Sequence, residues 1–350
     1  MTDAHFFSII IPVYNGGPQL ERSLASIRRS SFSDWELLVV DDGSGDGSDE
    51  AARQAGARVL KTGGRQGPAA ARNLGARHAT GSYLFFIDAD CELHPDTLAR
   101  AAQYFRDDPQ LDALFGAYDD SPAATNFIAQ YKNLFHHYIH QNSRAAASTF
   151  WTGCGAIKRS RFLALGGFDP ARYRRPSVED IELGYRLKQA GGRIKLAKAV
   201  QVKHLKAWTL PSLLKSDILD RGIPWTRLIL RDKIFRSDLN LQTHNRVSVL
   251  AVAGLMLALV AAWFHPQAAW MAVALAGLLV RLNFDLYRFF YQKRGLGFAL
   301  KALPLHWLYY LYNALSFGLG LMGHWRDRLW AEPRPAPRPL ADGAEPERGP

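Results

Sequence analysis

Two short carboxylate motifs, far apart in a chain of 350 residues, suit two different kinds of chemistry. In Ser82-Tyr-Leu-Phe-Phe-Ile-Asp-Ala-Asp90 an apolar run stops at Asp88 and Asp90, which places two hard oxygen ligands at the rim of a sheet. A dication accepts carboxylate, water and phosphate oxygens together, so such a tip can carry a diphosphate that the carboxylates alone would repel. The same pattern also occurs in turns and helix caps. In Ser177-Val-Glu-Asp180 the acids Glu179 and Asp180 open a stretch of helical spacing continued by Ile181, Tyr185 and Lys188. A carboxylate held there can take the proton of a hydroxyl nucleophile. Ser177 with Asp180 three residues on equally reads as a helix N-cap with an acidic first turn.

The elements that must hold these groups are legible in the first third. Phe6 to Val13 is an apolar run too short for a helix and closed by turn residues, hence a buried strand, and Trp35 to Val40 is a second. Between them Leu20, Leu24 and Ile27 mark one face of a helix. Ala57 to Lys61, the loop Gly63-Gly-Arg-Gln-Gly67 and a helix from Ala69 to His78 repeat the unit, with Pro68 suited to the first helical turn. Strands alternating with helices predict a parallel sheet, and ligands of such sheets sit beyond the carboxyl ends of the strands. Tyr14, Asp41, Asp42, Asp88 and Asp90 all fall at those ends, and Arg72 projects from the helix toward the same rim unless it is a solvated surface charge.

Four motifs, Ile11-Pro-Val-Tyr-Asn15, Val39-Val-Asp-Asp-Gly-Ser44, Ala71-Arg-Asn-Leu-Gly75 and Phe86-Ile-Asp-Ala-Asp90, resemble in order and spacing the family 2 glycosyltransferases of GT-A fold. The resemblance implies an α/β, Rossmann-like, mostly parallel sheet flanked by helices. It implies a nucleotide-sugar donor, a UDP-sugar first among them, with Mn²⁺ or Mg²⁺ at the Asp-x-Asp motif and inversion at the anomeric carbon. Carried over position by position, Pro12, Tyr14, Asp41 and Asp42 would line the base pocket and Arg72 would lie near the nucleotide. Asp88 would serve ribose or metal, and Asp90 the metal. Asp180 would be the base, with Glu179 supporting it or touching the acceptor. His204, set between Lys203 and Lys206, would touch metal or diphosphate, or else form part of a basic edge. Arg65 stands where the family often has Asn, which leaves this loop's contact open.

Trp151-Thr-Gly-Cys-Gly-Ala156 reads as a glycine-rich loop that lets a sugar approach the backbone, so Gly153 and Cys154 are expected at the acceptor, together with Trp225. Cys91 and Cys154, the only cysteines, give no disulfide framework and predict free thiols in a reducing compartment. His136, His137 and His140 lie on one helical stretch without a completing ligand set and read as a polar face. Arg221-Gly-Ile-Pro-Trp225 matches the Gln-x-x-Arg-Trp motif of processive relatives only at the tryptophan, which favours single-sugar transfer over polymer extrusion.

A formal charge of +11 implies anionic partners, and 48% hydrophobic content excludes disorder for most of the chain. The N-terminus lacks the basic and apolar regions of a cleavable signal peptide. Five segments are expected: a GT-A catalytic domain at 1–205, a basic amphipathic juxtamembrane segment at 206–246, a transmembrane hairpin at 247–287, a third transmembrane or interfacial helix at 296–323, and a disordered tail at 333–350. Arg246, Arg281, Arg288, Lys293 and Arg294 flank the hairpin and put both ends on the cytoplasmic side, although a buried soluble hairpin would share the composition. The expectation is a bacterial inner-membrane enzyme with a cytoplasmic catalytic domain, acting on a lipid-linked or glycan acceptor in contact with membrane lipids, and with no nucleic-acid partner. A processive polysaccharide synthase and an inactive sugar-nucleotide-binding scaffold are the alternatives; retention of both carboxylate motifs weighs against the scaffold.

Overall fold

The computed structural model describes residues 5–232, 243–330 and 339–340. In chain order the first elements are β1 (Phe7–Val13), α1 (Gly17–Arg28), β2 (Trp35–Asp41), α2 (Ser48–Gln54), β3 (Arg58–Lys61), α3 (Pro68–His78), β4 (Tyr83–Ile87), β5 (Cys91–Leu93), α4 (Thr97–Asp107) and β6 (Ala113–Tyr118). There follow α5 (Phe127–Asn142), β7 (Ala146–Ala147), β8 (Cys154–Lys158), α6 (Arg159–Ala164), α7 (Glu179–Gln189), β9 (Ile194–His204), α8 (Leu210–Lys215), a π-helical stretch (Ser216–Gly222) and α9 (Ile223–Asp232). The last are α10 (Thr243–Phe264), α11 (Ala268–Leu282) and α12 (Phe284–Trp330). The chain divides into two compact units, one of residues 1–124, 144–207 and 333–350, the other of 125–143 and 208–332.

The first unit is built on one sheet of strand order β3-β2-β1-β4-β8-β6-β9-β5, with β7 paired to β9. Strands β1, β2, β3 and β4 pair in parallel; the buried apolar runs of β1, β2 and β4 suit strands covered on both faces, while β3 is the more exposed edge. The second half is mixed: β8 runs antiparallel to both β4 and β6, while β6 and β9 are parallel. Chain order reverses at β1, whose neighbours are β2 on one side and β4 on the other, and this is where such sheets open a crevice.

The stretch expected to be an open loop around Gly153 and Cys154 is instead the approach to β8, at the centre of the sheet. A β-carbon on Gly153 would lie 2.3 Å from the Trp151 ring, and one on Gly155 2.2 Å from the Trp151 carbonyl. The glycines therefore admit close packing by Trp151 and Phe150, and no ligand is needed to explain them. Ser177 does not cap α7 either: the N-cap is Val178, and the Ser177 N–H donates to Glu179 Oε2 at 2.8 Å.

In the second unit α10 and α11 pack side by side, with Val252, Leu255 and Leu279 buried in a core that includes Tyr310 of α12. Outward, Leu250, Leu257, Val260, Trp263, Trp270 and Met271 are exposed, an apolar surface far larger than water favours. His244–Phe264 is long and apolar enough to cross a bilayer by itself. The expected second arm does not run on to residue 287: α11 stops at Leu282, and the chain bends by 68° into α12. Asn283 fills that break, donating to Ser248 Oγ at 3.2 Å and Leu279 O at 2.9 Å and accepting from Tyr310 OH at 2.7 Å. The expected third helix does begin at 296, after a break at Gly295, whose φ of 80° lies outside the helical region; it runs past 323 to Trp330, and a separate helical stretch from Phe284 precedes the break. On the π-helical stretch Asp217 is buried against Lys132 Nζ at 2.5 Å and Tyr312 OH at 2.7 Å. Of the expected segments, 233–242 within the juxtamembrane stretch and all of the tail except Pro339 and Leu340 lie outside the described residues. Leu340 donates its N–H to Leu163 O at 3.0 Å.

Candidate active site

The carboxyl ends of β1, β2 and β4 carry the first group of polar side chains. Tyr14, just past β1, is 42% exposed, and the Arg65 guanidinium lies over its ring at 4.1 Å. Pro12 is half-buried one residue before the strand ends. Asp41 and Asp42 are buried at the end of β2, and both turn inward to order loops. Asp41 accepts the Ser44 N–H at 2.9 Å. Asp42 accepts Gln66 N and Thr62 Oγ1 on Oδ1 and Gly67 N on Oδ2, each at 2.8 Å. The Asp42 carboxylate thus pins the loop that leads into α3.

Arg72 on α3 is 4% exposed and reaches two acids from distant segments. Its Nη2 donates to Asp88 Oδ1 at 2.8 Å and its Nη1 to Glu179 Oε1 at 2.9 Å, while Nε has no hydrogen-bond partner among the described residues. Burial works against the charged guanidinium, but Asp88, Glu179 and Asp180 outweigh it and raise its pKa. One cation therefore binds the Asp-x-Asp tip to the start of α7.

Asp90 leans the other way. Its Oδ2 lies 3.7 Å from His204 Nε2 at the end of β9, and the His204 ring stacks on Tyr118 with centroids 4.2 Å apart. Burial pushes the Asp90 carboxyl up, yet His204 and Lys206 prevail and hold it below the usual carboxylate range. Among the described residues no group of three or more His, Cys, Asp and Glu is close enough to cage a metal. Asp90 and His204, 3.7 Å apart, are two neighbouring oxygen and nitrogen donors, while Asp88 is turned to Arg72 through Oδ1; a hard dication takes most of its remaining ligands from water and phosphate oxygens.

Asp180 is half-buried one residue into α7. Its Oδ1 accepts the Ile181 N–H at 2.8 Å, and its Oδ2 accepts Thr152 N at 3.2 Å and Thr152 Oγ1 at 3.4 Å. Thr152 was not singled out in the sequence, and no local signal marks it, since it meets Asp180 across 28 residues. Glu179, by contrast, is 4% exposed, with Oε1 engaged by Arg72 and Oε2 by Ser177 N. Of the acceptor candidates, Gly153 lies against Trp151, and Cys154 is fully buried on β8 opposite Ile87, where desolvation pushes its thiol well up. The other thiol, Cys91, is also buried and raised, so neither is a nucleophile. Trp225, the third acceptor candidate, is half-buried on α9 in the helical unit.

Residues 8–165 match the family model described as glycosyl transferase family 2. The chain is 39% identical over 102 residues to glycosyltransferase AglE of Haloferax volcanii, covering 27% of this chain and 34% of that one. It is 38% identical over 130 residues to a PGL/p-HBAD biosynthesis glycosyltransferase of Mycobacterium bovis, covering 35% of this chain and 50% of the other. The matched regions thus span between a third and a half of these curated relatives. Among solved structures, mannosyltransferase PcManGT of Pyrobaculum calidifontis, in complex with GDP-Man and Mn²⁺, superposes with a TM-score of 0.53 over 95% of this chain and 89% of its own. Its sequence identity is 20%, so the likeness is one of fold, and the fold is GT-A.

Proposed function

We propose, on the match of residues 8–165 to the glycosyl transferase family 2 model, that the chain moves a sugar from a nucleotide-sugar donor to an acceptor hydroxyl with inversion. The observation that carries this reading is the Arg72 bridge, whose guanidinium holds Asp88 of the motif after β4 and Glu179 of the motif that opens α7. A site for binding alone has no use for the second motif.

In this reading Asp90 and His204, with Asp88 of the same motif, would hold Mn²⁺ or Mg²⁺, which would supply positive charge to the diphosphate leaving group. Tyr14 and Arg65 form an exposed platform for the base, and the loop pinned by Asp42 shapes its pocket. Asp180 is the base: it takes the acceptor proton as the glycosidic bond forms. The two Thr152 donors and the Ile181 N–H fix its orientation. Placed on one face of the sugar, with the leaving group on the other, a single displacement inverts the anomeric carbon.

The donor is a UDP- or GDP-sugar. The acceptor is lipid-linked, since α10 has the length and composition to hold the enzyme at a bilayer, with the first unit in the cytoplasm and the protein in a bacterial inner membrane. The test offers the purified full chain a panel of nucleotide sugars with Mn²⁺, Mg²⁺ or EDTA, with and without membrane lipid extract, and scores released nucleotide. Asp180→Asn should keep donor binding and lose transfer by 10²-fold or more, on the order expected of a general base. Transfer near the wild-type rate by that variant would remove Asp180 from the role, and release indifferent to EDTA would remove the metal.

A further inference from the structure

The helical unit contains a cavity of about 470 Å³ between α5 and α12, lined by Thr125, Phe127, Gln130, Arg294, Phe298 and Lys301. Two of these six side chains are cations at neutral pH and none is an acid. Their arrangement is built into the fold. Arg294 Nε donates to Gln130 Oε1 at 2.8 Å and Nη1 to the Lys293 carbonyl at 2.9 Å, so the guanidinium is already held at the cavity wall. Gly295, with φ 80° and ψ 175°, turns the chain immediately afterwards, and the helix that resumes carries Phe298 and Lys301 to the same cavity. Only glycine adopts that conformation readily. Phe127 and Phe298 meet edge to face with centroids 5.1 Å apart, and Phe298 packs on Phe290 at 5.7 Å, giving an aromatic wall.

A small soluble anion would need the cations and not the rings, and an apolar molecule would need the rings and not the cations. Both together suit an anion attached to an apolar body. Basic pockets between helices at the cytoplasmic side of a membrane are the sites at which acidic lipid headgroups are held. We propose that this cavity binds the phosphate headgroup of an anionic phospholipid of the bilayer, with Arg294 and Lys301 on the phosphate and Phe127 and Phe298 against the upper acyl and glycerol carbons. The proposal rests on the reading that α10 places the helical unit in a membrane, and it is separate from the acceptor.

The test measures binding of the full chain to phosphatidylcholine vesicles and to phosphatidylcholine vesicles containing phosphatidylglycerol. Binding to the neutral vesicles reports insertion; the excess on the anionic ones reports the cavity. Arg294→Gln with Lys301→Gln should leave neutral binding unchanged and reduce the anionic excess by roughly 25-fold, about 5-fold for each cation. Arg288→Gln with Lys293→Gln, on the same helix and outside the cavity lining, should reduce it by less. Equal losses from the two pairs would mean diffuse attraction and no site, and no loss from the first pair would also overturn the proposal. If the first pair loses neutral binding as well, Arg294→Lys with Lys301→Arg decides: recovery of the anionic excess supports the proposal, and failure to recover it sinks it. Absence of binding to any vesicle would dispose of the membrane reading and the cavity together. A pair effect seen with glycerol 3-phosphate but not with vesicles would assign the cavity to a soluble phosphate and refute the lipid.

Discussion

Replacing Arg72 by methionine keeps much of the side-chain volume and removes the charge that joins β4 to α7. The Glu179 side chain is 5% exposed, so its carboxylate would be left buried with the Ser177 N–H as its remaining partner. Removing one member of a buried pair costs about 3–5 kcal/mol, because the other is stranded in low dielectric. The second pair contributes less, since Asp88 is 34% exposed and water screens it; about 0–1 kcal/mol is the scale for such contacts. Retention of one Ser177 hydrogen bond softens the loss, and the expected net cost of Arg72→Met is about 3 kcal/mol. The signature lies in the double variant. With Glu179→Gln added, no charge is stranded, and about 2 kcal/mol should return. Urea titration followed by hydrogen exchange in the β4 and α7 peptides measures both quantities on the elements concerned. A single variant within about 1 kcal/mol of wild type, or a double variant no more stable than the single, would refute the stranded-charge argument.

Glu36 provides a pH test. Burial pushes its carboxyl up, but Ser8 Oγ at 2.6 Å, Thr80 N at 2.5 Å and Thr80 Oγ1 at 2.8 Å all donate to Oε1 and bring it below its ordinary 4.5. A carboxyl with a lowered folded pKa stabilises above the unfolded value and loses that contribution as pH falls through the folded one. Glu36→Gln should therefore cost about 1 kcal/mol at pH 7, and the gap to wild type should close below pH 4.5 in urea titrations across that range. Gly116→Ala would set a β-carbon 2.1 Å from the Val200 carbonyl oxygen across β6 and β9 and should cost about 3 kcal/mol in thermal unfolding, whereas Gly45→Ala, with nothing within 4 Å, should stay within about 0.5 kcal/mol.

The sequence was most informative where burial is one-dimensional. Strands β1, β2 and β4 are covered on both faces over most of their length, so each carries an apolar run that stops at a polar residue, and the rim of Tyr14, Asp41, Asp42, Asp88 and Asp90 follows directly. Strand β8 escaped because its sequence answers to neighbours: Gly153 and Gly155 are small to admit Trp151 and Phe150, and small residues in series look like a loop. Thr152 and the Arg72 to Glu179 bond escaped for the same reason, as contacts across 28 and 107 residues leave no local periodicity. The start of α7 was misplaced because Ser177 looked like a cap, whereas its N–H is used by the Glu179 carboxylate that Arg72 holds. In the helical unit composition shows the apolar helices and the boundary before 296 that Gly295 makes, but not the break at Asn283, which depends on a single polar residue.

The central place of β8 also bears on how the protein is made. Strand β4 pairs with β1 on one edge and with β8 on the other, and β8 is also what connects it to β6. On the ribosome β1 to β4 emerge first and can close three parallel ladders among themselves. The far edge of β4, carrying Leu84, Phe85 and Phe86, then has no partner until residues 154–158 have been synthesised. For that interval the most apolar strand of the nascent sheet is an open edge, the form of a sheet most prone to pair with another chain.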